Sequence, residues 1–290
     1  MHRRAFVHTL GATLAMPLAA SRIAAHVAPH HVAPHRVATR RLKRIGIQLY
    51  SLRDAGRANL ERTLADIAAA GYTDVELLAS MDNFGMPPAQ LRATLQRLGL
   101  RSLSTHTNSL ADIERQLDAA HALGHEYVVL ASLPEARRKT LDDHRYWADE
   151  LNRAGRVARA HGMWIAFHDE PENFVTIDGR VAYDVLVERT DPAYVRLQLD
   201  TGNAAMGGRD PLDLMRLYAD RYWLFHIKDA PSLGAKTDTE LGKGVVDLRT
   251  LLRRIPRIDE RILYVEQETY PGAPLDSAKR DHDYLATLDF

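Results

Sequence analysis

Val195-Arg196-Leu197-Gln198-Leu199-Asp200-Thr201-Gly202-Asn203 and, twenty residues later, Trp223-Leu224-Phe225-His226-Ile227-Lys228-Asp229 are the stretches on which the fold turns. Each begins as an apolar run of strand length and ends on side chains of ligand type. Pro211–Ala219 between them carries helical spacing, so the unit reads strand, helix, parallel strand. The same alternation spreads in both directions. Strands are expected at Ile45–Tyr50, Asp74–Leu78, Arg101–His106, Tyr127–Ala131 and Trp164–His168 before this unit, and at Ile262–Glu266 after it. Helical spacing marks Asn59–Ala70, Pro88–Leu98, Leu110–Leu123, Asp142–His161, Arg180–Arg189, Asp247–Arg254 and Ser277–Leu288. Gly71, Gly99, Gly124 and Gly162 stand where four helices end, as left-handed caps. Eight such units in about 247 residues predict an α/β fold, the closed parallel (β/α)8 TIM barrel, as a single domain over residues 44–290. The turn Ser51-Leu52-Arg53-Asp54 has no glycine-rich phosphate loop, which counts against an open doubly wound sheet.

The 290 residues hold 38 Lys+Arg, 38 Asp+Glu and no cysteine. Without cysteine there is no disulfide scaffold, thiolate metal site or cysteine nucleophile. The zero net charge hides an asymmetry. Residues 1–43 carry seven basic residues and no acid, leaving 31 basic against 38 acidic, a net of −7, in the remainder. So acidic a domain is a poor partner for nucleic acid. Arg3-Arg4 followed by an apolar stretch to Ala20 resembles a Tat-type signal peptide, placed over residues 1–25. The stretch is too short for stable membrane insertion, so the expectation is export to the periplasm through the Tat machinery. Residues 26–43 repeat a Val-Ala-Pro-His theme and read as a disordered linker.

Active sites of such barrels are built where strands end and loops begin. Here those ends hold Glu76, His106, His168-Asp169-Glu170, Asp200, His226-Ile227-Lys228-Asp229 and Glu266-Gln267-Glu268. Buried carboxylates and imidazoles cost several kcal/mol unless paired or bound to a cation, and several on one rim explain one another as a metal site. Oxygen and imidazole donors without thiolate suit one divalent ion: Mn²⁺ first, with Mg²⁺, Zn²⁺, Co²⁺ or Fe²⁺ as alternatives.

These residues resemble the xylose-isomerase-like sugar phosphate isomerase/epimerase barrels along the whole stretch from Arg44 to the C-terminus. Gly46-Ile47-Gln48-Leu49-Tyr50-Ser51-Leu52-Arg53 is similar to that family's first strand, Gly71-Tyr72 and Val75-Glu76 to its second, and Leu199-Asp200-Thr201-Gly202-Asn203 to its sixth. His226-Ile227-Lys228-Asp229 resembles the seventh and Val265-Glu266-Gln267-Glu268 the eighth, with Leu241-Gly242-Lys243-Gly244 in the loop between. The resemblance implies metal ligands at Asp200, His226 and Glu266. Strand 5 departs from the family pattern: Phe167-His168-Asp169-Glu170-Pro171-Glu172-Asn173-Phe174 has Glu170 where a second histidine usually stands. Glu170 is expected as the fourth ligand, with His168 beside it touching substrate or ligand; the reverse assignment is the alternative.

The chemistry implied is metal-assisted proton transfer beside the carbonyl of a free or oxidised sugar, giving an enediolate and then isomerisation or epimerisation. Glu170 and Glu266 are the expected acid–base pair, Lys228 a stabiliser of the oxyanion, and His106, Glu76 and Glu240 the expected sugar contacts. Each has a plainer reading: Lys228 paired with Asp229, Glu76 with Arg53, Glu240 solvated. Dehydration by loss of a β-hydroxyl is the alternative outcome at the same site. An abasic-site endonuclease would need a basic face, and a non-catalytic sugar-binding barrel would not need Asp200, His226 and Glu266. A homo-oligomer fits the resemblance, but no stretch marks its interface.

Overall fold

A computed structural model describes residues 39–290, and all structural statements concern these. The expected signal peptide (1–25) and the linker as far as residue 38 lie outside the described residues. Eight parallel strands close a barrel: β1 (Gly46–Gln48), β2 (Asp74–Leu78), β3 (Ser104–Thr107), β4 (Tyr127–Leu130), β5 (Trp164–His168), β6 (Val195–Asp200), β7 (Tyr222–Ile227) and β8 (Ile262–Val265). Each strand pairs with its sequence neighbours, and β1 pairs with β8. The expected single-domain (β/α)8 barrel is the observed one.

The helices α1 (Arg53–Ala69), α2 (Pro88–Leu98), α3 (Ile113–Leu123), α4 (Leu141–Ala160), α5 (Ala182–Arg189), α6 (Thr201–Met206), α7 (Pro211–Tyr218), α8 (Leu248–Arg254) and α9 (Pro274–Thr287) lie between and after the strands. Gly71, Gly99, Gly124 and Gly162 all take positive φ (102°, 68°, 87° and 72°), as their cap positions require. Two departures have local causes. α1 begins at Arg53 rather than Asn59; Asn59 interrupts it at φ −164°, ψ 95°, and its side chain accepts from the Arg62 amide at 2.9 Å. That is an N-cap within the helix, so the apolar period restarts there. The short α6 was not expected; the Asp200 side chain caps it by accepting from Asn203 N at 2.8 Å.

The boundary at residue 43/44 moves back by about four residues. Arg40 and Phe290 exchange both backbone hydrogen bonds (2.8 and 3.0 Å), Arg41 pairs with Asp289 at 2.8 Å and Lys43 with Asp259 at 3.0 Å. The basic end of the expected linker is held against acids of the barrel. Trp164 and Trp223 sit at the N-terminal mouth, with the Arg196 guanidinium 3.8 and 4.0 Å from their ring centres. They close the end opposite the strand termini and are not sugar platforms. No helix among the described residues is long and apolar enough to cross a membrane.

Candidate metal and active site

Inward positions alternate along each strand, so Gln198 and Asp200 on β6, and His226 on β7, share the barrel interior. Register sets Asp200 beside His226, and Gln48 beside Glu76. The result is two polar layers near the C-terminal end of the barrel.

In the upper layer, His168, Asp200, His226 and Glu266 each bring one ligand atom to within 4.8 Å of the others, all buried. The His168 Nδ1–H donates to the Ala131 carbonyl at 2.9 Å, which leaves Nε2 with its lone pair turned inward, 3.6 Å from Asp200 Oδ2. One Asp200 oxygen caps α6, while Oδ2 and His168 Nε2 are buried without a hydrogen-bond partner. Such orphaned acceptors, facing one another, fit a cation and little else. His226 Nδ1 lies 3.0 Å from Glu266 Oε2 and 3.8 Å from Asp200 Oδ2. The donor set is two imidazoles and two carboxylates. In this cluster His168 takes the fourth place, where Glu170 was expected: the strand ends at His168, and Glu170 lies two residues beyond it.

The lower layer centres on Glu76. Its carboxylate accepts from Gln48 Nε2 (2.7 Å), Ser104 Oγ (2.6 Å), Gln198 Nε2 (3.0 Å) and His226 Nε2 (2.6 Å). It is fully buried and away from the cavity, so it is neither a sugar contact nor a partner of Arg53; it orients His226 from behind. A carboxylate behind a metal-facing histidine fixes the ring and raises its basicity. His106 stacks on His226, ring centres 5.2 Å apart, and its Nε2 lies 2.8 Å from Gln198 Oε1.

The electrostatics follow from burial against pairing. Burial would raise Asp200 and Glu266, but Lys228 and the imidazoles beside them hold both carboxyls below the usual range. Burial would also raise Glu76, and His106 and His226 pull it well below. Burial opposes charge on His226 and Lys228, yet the surrounding carboxylates hold both above their ordinary values. Lys228 Nζ donates to Glu268 at 2.6 Å and Asn203 at 3.2 Å, and lies 3.5–3.6 Å from the Glu266 and Asp200 oxygens. It does not pair with Asp229. Lys228 is wholly buried, and its charge offsets these carboxylates from beneath the cavity wall that Asn203, Glu266 and Glu268 form.

A cavity of about 250 Å³ opens above these layers, lined by His106, His168, Glu170 and Glu266 from the expected set. Glu170 sits on its wall; burial pushes its carboxyl up to about 7 against the pull of His168 and Lys228. Beside Leu78, Met81 and Ala131, the lining also has Tyr50, Ser80, Asn108, Ser132, Asn203 and Glu268, none of them singled out as a site residue. Each follows a strand end by one to three residues, a positional signal the sequence did contain. Glu240 is absent from the wall. Its buried carboxylate is bound by Arg280 Nε (2.9 Å), Ser277 Oγ (2.8 Å) and Lys243, which ties the loop before α8 to α9. That loop is also held from within: Asp229 accepts from the amides of Ala230, Gly242, Gly244 and Val246 at 2.9–3.1 Å.

Comparison with known proteins places this geometry. The chain is 26% identical over 272 aligned positions to inosose dehydratase of Geobacillus kaustophilus, covering 79% of this chain and 87% of that one. A sugar phosphate isomerase/epimerase of Parabacteroides distasonis superposes with a TM-score of 0.74 at 22% identity, over 85% and 99% of the two chains. The protein IolI, solved with a zinc atom, superposes with a TM-score of 0.66 at 17% identity, over 83% and 95%. A family model described as xylose isomerase-like TIM barrel matches residues 64–288. With the closed barrel and its strand-end cluster in agreement, this chain belongs to the xylose isomerase-like TIM barrels.

Proposed function

We propose that the protein is a divalent-metal-dependent enzyme that moves a proton at the carbon beside a carbonyl of a sugar, as an isomerase or epimerase. The observation that carries this reading is the facing pair of orphaned buried acceptors, His168 Nε2 and Asp200 Oδ2, grouped with His226 and Glu266 beside a sugar-sized cavity. His168, Asp200, His226 and Glu266 would hold the ion, with His226 facing it through Nδ1 while Nε2–H is held by Glu76. A divalent ion supplies Lewis acidity toward a carbonyl oxygen there.

The chain's own groups do the rest. Glu170, with its carboxyl near 7, exists in both protonation states at neutral pH and can take a proton and give it back. Return to the neighbouring carbon completes an isomerisation; return to the opposite face of the same carbon, with Glu266 as the second carboxylate on the cavity, completes an epimerisation. His106 and Asn203 orient hydroxyls from the wall. A second reading, dehydration with departure of a β-hydroxyl protonated by the same acid, is favoured by the relatives called inosose dehydratase.

The test is metal content by plasma mass spectrometry on the wild type, Asp200→Ala and His226→Ala, followed by keto-sugars and inosose in D₂O watched by NMR. About one ion per chain, lost in both variants, with deuterium entering an intact carbon skeleton, supports the proposal. Water loss from the substrate would select the dehydratase. No ion after added Mn²⁺, Zn²⁺ or Mg²⁺ would overturn both. We also propose that the chain is exported by a Tat-type signal and works in the periplasm; the twin arginines support this, and cell fractionation checks it.

A further inference from the structure

The N-terminal mouth of the barrel, opposite the catalytic cavity, holds a stack of side chains that the proposed chemistry does not use. Arg159, Trp164, Arg196, Trp223 and Arg261 alternate guanidinium and indole, with the guanidinium carbons 3.8, 3.8, 4.0 and 4.0 Å from successive ring centres. Stacking satisfies the faces of these groups and leaves their edges, where every N–H lies. The first rung finds an acceptor, Arg159 donating to the Met163 carbonyl at 3.1 Å. The last three do not. Arg196 Nε, Trp223 Nε1 and all three guanidinium nitrogens of Arg261 are buried without a hydrogen-bond partner, and Arg261 as a whole is only 5% exposed. Every one of these atoms is a donor.

The charge is unanswered as well. Among the described residues no carboxylate forms an ion pair with Arg159, Arg196 or Arg261, and Glu260, next to Arg261 in sequence, is taken by Arg257 at 3.1 Å. Residues 1–38 contain no Asp or Glu, so that stretch brings no carboxylate either. Burial pushes Arg196 down to about 10, and the Arg261 guanidinium pushes it the same way. A buried cation without a counter-charge and a buried donor without an acceptor are both costly, and one anion relieves both.

We infer that this mouth is an anion site that binds a phosphate group, as the free ion or as a phosphate monoester, against the edges of Arg196, Trp223 and Arg261. The donors lie on three successive rungs, one over another. A planar carboxylate meets a single guanidinium fork, whereas a tetrahedral oxyanion turns oxygens toward more than one rung. Arg196 is only half-buried and Arg159 is exposed, so the stack meets solvent. The site lies at the end of the barrel away from the metal ligands and does not rest on the function proposed above.

The test is titration calorimetry of the full chain with inorganic phosphate, glycerol 3-phosphate and acetate, at constant ionic strength set with chloride. Phosphate binds saturably, with a dissociation constant of about 1 mM or lower, and acetate at least about tenfold more weakly. Arg196→Gln and Arg261→Gln each weaken phosphate binding at least about tenfold with metal content unchanged, whereas Asp200→Ala leaves phosphate binding as in the wild type. Glycerol 3-phosphate bound as tightly as phosphate identifies an esterified ligand; a much weaker ester identifies the free ion. No saturable phosphate binding below about 10 mM, equal affinity for acetate, or binding lost in Asp200→Ala yet untouched by both Arg variants would overturn the inference. The wild-type titration alone can do so, whether or not the Arg variants fold.

Discussion

Replacing Glu76 by Gln perturbs the metal site without touching it. The carboxylate is buried among four donors, and its shortest contact to a ring nitrogen, 2.6 Å, is to His226 Nε2. In the variant the amide oxygen must stay toward His226 and Gln48, since turning NH₂ toward them would set donor against donor. The NH₂ then faces Ser104, whose hydroxyl can rotate to accept, and Gln198 loses one acceptor. The His226 bond survives as a neutral one, roughly half as strong as the charge-assisted bond it replaces, a loss of about 1–1.5 kcal/mol. That corresponds to roughly tenfold weaker metal binding, at the low end for loss of a carboxylate behind a ligating histidine. Glu76→Leu removes the acceptor altogether and should cost about 100-fold. The assay is chelator-competition titration with Zn²⁺ or Mn²⁺ at pH 8, where proton competition for His226 is reduced, with thermal unfolding in EDTA to establish that the variants fold. A folded Glu76→Gln whose metal affinity lies within threefold of the wild type would refute the argument that Glu76 sets the basicity of His226.

His168→Ala should lower metal affinity at least about 100-fold, whereas Glu170→Gln should retain the ion and lose solvent exchange; the opposite pattern in metal content would restore Glu170 as the ligand. Gly244→Ala should lower the melting temperature by several degrees, because a methyl there would overlap the Asp229 side chain and the Ala230 carbonyl, seen by calorimetry. Asp281 carries a pH dependence. Burial pushes its carboxyl up from 3.8 to about 7, despite a 2.8 Å bond from the Leu241 amide. The folded state therefore holds the proton more tightly than the unfolded one. Stability is complete below pH 4 as far as this group goes, and declines as pH rises from 4 to 7, by at most about 4 kcal/mol. Asp281→Asn should abolish that part of the decline in urea denaturation at pH 5 and pH 8; an unchanged pH profile would remove Asp281 as its cause.

The barrel was legible because strand and helix periods differ and because β5 and β6 end on polar residues just where their apolar runs stop. Their observed limits, Trp164–His168 and Val195–Asp200, are the expected ones. Ligand types on β6, β7 and β8 were legible for the same reason. The division of roles between His168 and Glu170 was not. Two residues apart on an extended strand they would share a face, but the strand stops at His168, and only three-dimensional pairing with Ala131 turns Nε2 inward. Glu76 and Glu240 looked like substrate contacts because a sequence shows a carboxylate at a strand end or in a glycine-flanked loop without showing what neutralises it. Their partners, Gln48, Ser104 and His226 for one and Arg280 and Ser277 for the other, lie 28 to 150 residues away. Glu268 and Asn203 were visible as polar residues after strands, yet only the closed barrel places them on the same wall.

The reciprocal pairing of Arg40 with Phe290 brings the first and last residues of the domain together at one point. In connectivity the barrel is then nearly a ring. A few residues joining the two ends would let the chain be opened elsewhere, for example in the exposed turn at Asp178–Gly179, with every neighbour relation around the ring kept. A chain so permuted, synthesised from a different strand onward, should assemble the same ring of strands.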